Sequence, residues 1–147
     1  MLAALSSFGA AAGQGDITTI KRNVTQFLNY AATHPDAKIV YTASEMNLWA
    51  HSDASYLCES KARSRAGAFA FLSSKPKLPI LAEATPPTAN GPILMVCKII
   101  DAVMSSAQEA ETAAGFLTAK ELVPVRQTLI EMGHPQGPTT LQFDNKC

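Results

Sequence analysis

"SSAQEAETAAGFLTAKELVPVRQTLIEMGHPQGPTTLQFDN", residues 105–145, decides the fold. Ala107, Ala110, Ala114 and Leu117 recur along one stripe, and Leu122, Val125, Leu129 and Met132 along another. That spacing predicts an amphipathic helix over 105–132. Pro124 is expected to kink or split it, because proline removes a donor and crowds the preceding turn. Gly133 supplies a C-terminal stop. "PTTLQFDN" then reads as a short last strand. Upstream, "ILMVCKII" (93–100) is a nearly continuous apolar run and predicts a buried central strand. Strand, helix and strand in succession form a crossover, which makes the last strand parallel to one already in the sheet.

Further upstream the pattern is extended. "KIVYTAS" and "MNLWAHSDAS" within 38–55 are rich in β-branched and aromatic residues and predict strands. "AGAFAFLSS" (66–74) predicts another, with Phe69 and Phe71 on one face and Ala68, Ala70 and Leu72 on the other. Between it and the 93–100 run lies "KPKLPILAEATPPTANGP", whose five prolines and Asn-Gly predict a long exposed loop. Residues 16–34 predict an amphipathic helix, with Ile17, Ile20, Val24, Phe27 or Leu28 and Ala31 on one face. Gly15-Asp16 caps its start, and Pro35 ends it. The fold class is therefore α/β: an N-terminal amphipathic helix, an antiparallel meander, a crossover helix and one parallel strand.

Composition narrows the function classes. With 147 residues, 47% apolar and 16% charged, the chain can bury a core and is not of disordered composition. A formal net charge of zero gives no global basic footprint, so any nucleic-acid contact must come from a local patch. Cys58, Cys97 and Cys147 are odd in number and widely spaced, which predicts reduced thiols and neither a disulfide framework nor a zinc site. Neither a signal peptide nor a membrane span is read from the sequence, so an intracellular protein, cytoplasmic or nuclear, is expected.

Three acidic residues fall where this topology can gather them. Asp53 lies on or just after a strand, in "HSDASY". Glu111 lies in the early turns of the long helix, and Asp144 at the end of the last strand. Converging carboxylates repel unless a cation lies between them, and hard oxygen donors favour Mg²⁺ or Mn²⁺. The plainer alternatives are a solvated surface for all three and a helix-dipole partner for Glu111. Lys61, Arg63 and Arg65 form a basic patch close in sequence to Asp53, suited to phosphate contact. His51 shares a strand face with Asp53, and a packing role is its ordinary reading.

The motifs "ATHPDA", "HSDASY", "KARSRAG", "NGPI", "SSAQEAE" and "DN", taken together, resemble a family. It is the RNase H domain, with the end of the reverse transcriptase, in the Pol polyprotein of copia-type LTR retrotransposons. The resemblance covers nearly the whole chain. It implies an RNase H-like fold in 38–147, preceded by a reverse-transcriptase segment in 1–37. It implies that Asp53, Glu111 (with Glu109 as the alternative) and Asp144 hold two Mg²⁺ or Mn²⁺ ions and hydrolyse the RNA strand of RNA–DNA hybrids. The implied partners are the hybrid and the rest of the reverse transcriptase. The family pattern continues past "DN", whereas "DNKC" ends here, so a C-terminally truncated fragment is expected. An inactive remnant that keeps the fold, with weak nucleic-acid or protein binding, is the alternative function.

Overall fold

The computed structural model describes residues 2–11, 16–74 and 87–143, in two compact units, Met1–Lys38 and Ile39–Cys147. The first holds two helices, α1 (Leu2–Ala11) and α2 (Ile17–Thr33). Asp16 caps α2: the N–H groups of Thr18 and Thr19 donate to its carboxylate at 3.2 and 2.9 Å. Those bonds, Thr19 first, hold the Asp16 carboxyl below its ordinary value. Phe8 of α1 meets Phe27 of α2 edge to face, with centroids 5.8 Å apart.

The second unit is an α/β layer pair. Its strands are β1 (Asn47–Glu59), β2 (Arg63–Ser73), β3 (Pro92–Ile99) and β4 (Thr140–Phe143), with α3 (Ala107–Glu131) between β3 and β4. The sheet order is β3-β2-β1-β4. β1 pairs antiparallel with β2, β2 antiparallel with β3, and β4 parallel with β1. The strand–helix–strand reading of the C-terminal third thus gives the one parallel pair among the described strands.

Alternation along β1 and β2 sorts the residues between two faces. Leu48, Ala50 and Ala70 face α3 and pack on Leu122 and Leu129. A second cluster joins Ala66, Ile100 and Met104 to Ala110 and Ala114. The small residues of α3 let the helix lie close: a Cβ at Gly115 would stand 2.5 Å from the Phe143 ring of β4. Trp49, His51, Asp53, Phe69 and Phe71 point to the opposite face, as the alternation of "AGAFAF" requires.

Three expectations are corrected. "KIVYTAS" forms no strand, because the Asn90 side chain takes the place of a neighbour. Its Oδ1 accepts from Thr42 N–H and its Nδ2 donates to Thr42 C=O, both at 2.8 Å. Ile39, Val40 and Tyr41 remain about 60% exposed, so burial adds nothing to favour a ladder there. β3 is an edge strand and not the central one. Its apolar run reflects an apolar residue on each face, with Leu94 in the core and Met95 half exposed on the other side.

Pro124 does not split α3. The helix runs unbroken through it, and Lys120, whose carbonyl is deprived of its donor, is an exposed residue. The stop at Gly133 holds, with φ +89° and Schellman-type bonds from Gly133 N–H to Ile130 and from His134 N–H to Leu129. Among the described residues, no helix is long and apolar enough to cross a membrane.

Candidate active site

β4 pairs with β1 up to Phe143, which stands opposite Ser52. Two residues further along β1, the Ala54 N–H meets side chains. It donates to Oδ1 of Asp53 at 2.8 Å and to Oε1 of Glu111 at 3.2 Å. One backbone donor is therefore shared by two carboxylates, one from the strand and one from the helix. Asp53 is exposed and Glu111 half-buried, with its Oε2 enclosed.

The neighbouring contacts position these two groups. Thr118 donates its hydroxyl to the Ala114 carbonyl at 2.8 Å, so its single hydrogen is spent. Ser52, 3.1 Å away, is then the donor to Thr118 Oγ1. Both residues are buried, and the pair ties β1 to α3 one residue before Asp53. At the other end of β1, Gln136 acts as a surrogate strand. Its Oε1 accepts from Leu48 N–H at 3.0 Å and its Nε2 donates to Met46 C=O at 2.8 Å. Arg126 of α3 holds the approach to β4 through Gln136 C=O, Gly137 C=O and Thr139 Oγ1.

Glu109 is occupied elsewhere. Ser106 accepts from Glu109 N–H at 3.1 Å, and Glu109 Oε2 accepts from the Ser105 hydroxyl and N–H at 2.6 and 2.7 Å. This is a reciprocal cap at the start of α3, and its Ser105 bonds, the hydroxyl first, hold the Glu109 carboxyl below its ordinary value. Of the two glutamates, Glu111 is the one brought to Asp53. The signal was present in sequence: Ser106-x-x-Glu109 is the capping-box spacing. Asp144 lies outside the described residues. Among the described residues, no three His, Cys, Asp or Glu side chains are gathered as a metal cluster.

The basic residues separate by role. Lys61 is exposed at the tip between β1 and β2, where it and Ala62 both take positive φ, as in the primed turns of tight hairpins. Arg63 Nε donates to Ser60 C=O at 3.2 Å. Arg65 is buried: its Nε donates to Glu59 Oε1 at 2.6 Å and its Nη1 to Cys97 Sγ at 3.5 Å. The bond to Glu59 is the main reason its guanidinium pKa is raised. His51 packs in a ring stack, 4.9 Å from Phe69 and 5.7 Å from Phe71 between centroids.

Neither a family model, nor a curated protein, nor a solved structure matches this chain.

Proposed function

We propose that this chain is an RNase H-type domain of a copia-like retroelement polyprotein, cutting the RNA strand of RNA–DNA hybrids. The single observation that supports this reading most is the joint hold of Ala54 N–H on Asp53 and Glu111. Two adjacent carboxylates, presented by a strand and by the crossover helix beside the end of a parallel strand, make an acidic corner. The donor set fits a hard divalent cation: anionic oxygens, with no sulfur or imidazole required. Asp53 and Glu111 would hold Mg²⁺ or Mn²⁺, with Asp144, next in the chain after Phe143, as the third carboxylate. Two such ions supply charge neutralisation at a phosphodiester and activation of water.

The protein's own contribution is placement. Ala54 N–H orients the two carboxylates before any ligand arrives, which spares reorganisation during reaction. Ser52 and Thr118 fix the strand to the helix that bears Glu111. Lys61 and Arg63, at the hairpin end of the same sheet, contact phosphates without reading sequence. Arg65, spent on Glu59, serves the hairpin's packing in this reading.

The test is cleavage of a labelled RNA–DNA hybrid with Mg²⁺, comparing wild type with Asp53→Asn, Glu111→Gln and Glu109→Gln. Cleavage retained in Glu109→Gln and lost in the other two supports the assignment. Equal background in all four, with folded protein, would leave only a domain that keeps the fold without turnover.

A further inference from the structure

On the sheet face away from α3, a groove of about 760 Å³ runs from Asp53 across Gly67 and Phe69 to Met95, with Gln142 and Phe143 along its side. Its aromatic floor is His51 and Phe69, whose rings lie 17° from parallel with centroids 4.9 Å apart. Phe71, fully buried, packs against both rings from outside the groove, and Phe69 lines it. The groove exists because β2 places Gly67 opposite Asp53, where a larger residue would fill the space. The size is that of a small-molecule site, and flat rings with a few polar groups at the edge suit a flat heterocycle. Among the described lining residues, Asp53 carries the one formal charge, and it is negative. A ligand edge that presents an amine at its rim is complementary to it, whereas an edge whose single N–H lies between two carbonyl oxygens is less so, because those oxygens repel the carboxylate.

We propose that this groove is a nucleobase subsite that prefers bases with an exocyclic amine. The base lies against Phe69, and its amino group donates to the Asp53 carboxylate, with Gln142 as a second in-plane partner. The proposal goes beyond the nuclease reading, whose hybrid substrate has paired bases, and its test needs neither metal nor cleavage.

The probes are adenosine and uridine, titrated into the full chain with a chelator present and followed by amide NMR shifts. Adenosine is expected to shift the amides of residues 51–53, 67–69 and 142–143 saturably. Uridine should bind about tenfold more weakly, because its one ring N–H is flanked by carbonyl oxygens that would face the charged acceptor. Gly67→Leu should weaken adenosine about tenfold or more by occupying the groove. A Cβ at Gly67 meets only the Asp53 carbonyl at 3.9 Å, so the backbone tolerates the change. Phe69→Leu is a second variant that removes the stacking ring and keeps an apolar side chain. Absence of saturable shifts, equal binding of uridine, or adenosine binding unchanged in both folded variants would overturn the subsite. Adenosine binding without hybrid cleavage would sink the nuclease reading alone; cleavage without adenosine binding would sink the subsite alone.

Discussion

Asp53 Oδ1 and Glu111 Oε1 accept from one and the same backbone N–H, that of Ala54, at 2.8 and 3.2 Å. They are 58 positions apart in sequence, on a strand and on a helix, and they meet only because α3 crosses over and packs on β1. Their juxtaposition has consequences for stability as well as for chemistry.

The hydroxyl pair beside them is expected to matter for folding. Thr118→Val leaves Ser52 buried without its acceptor, and Ser52→Ala removes the donor. Each should cost about 1–3 kcal/mol in denaturant unfolding, with Thr118→Val the larger because a buried hydroxyl is stranded. The double variant should cost less than the sum, since neither hydroxyl is then left unmatched. Additive losses would mean that the two groups do not depend on each other.

Gln136 carries a comparable load at the other end of β1. Gln136→Ala strips the acceptor from Leu48 N–H and the donor from Met46 C=O. A loss of about 1–3 kcal/mol is expected, together with faster hydrogen exchange at Leu48. Unchanged exchange at Leu48 would contradict the surrogate-strand role.

Arg65 and Lys61 should separate in a binding experiment. Arg65 pairs with Glu59 at low exposure, so Arg65→Ala is expected to destabilise the fold by about 1.5–3 kcal/mol. Lys61→Ala should leave stability within about 0.5 kcal/mol and lower the salt dependence of hybrid binding. The reverse pattern, with Arg65 setting the salt slope, would restore it to the phosphate-contacting group.

Acid should loosen the helix caps first. The Asp16 and Glu109 carboxyls are held below their ordinary values of 3.8 and 4.5. A depressed carboxylate stabilises the folded state fully above its ordinary value, and that contribution is lost as pH falls through the lower folded one. Exchange at Thr18, Thr19 and Ser105 N–H, the capped amides, is expected to gain population of the open state below about pH 4. Replacement by Asn and Gln should remove the pH dependence.

Much of this architecture was legible because it rests on periodicity. Residues 105–145 gave the crossover, a last strand parallel to one already in the sheet, and the stop at Gly133. The alternation of "AGAFAF" separated Phe69 and Phe71 on one face from Ala68, Ala70 and Leu72 on the other. What was not legible is held by side chains that imitate backbone. Asn90 reaches Thr42 across 48 positions and Gln136 reaches Leu48 across 88, and neither leaves a periodic trace. The edge position of β3 was hidden for a related reason: Met95 and Ile93 keep the run apolar although both are over 40% exposed. At the site, the resemblance left Glu109 as the alternative to Glu111, and the cap at Ser106 separates them. The Ala54 N–H, which unites the carboxylates, belongs to the backbone and has no signature in sequence.

The most direct test of the shared site is thermal unfolding of the full chain titrated with Mn²⁺. A native-state cation site raises the melting temperature with cation concentration. Wild type and Glu109→Gln are expected to rise together by several degrees, while Asp53→Asn and Glu111→Gln stay flat. A rise of equal size in all four proteins, or in none of them, would contradict the claim that Asp53 and Glu111 act together on one divalent cation.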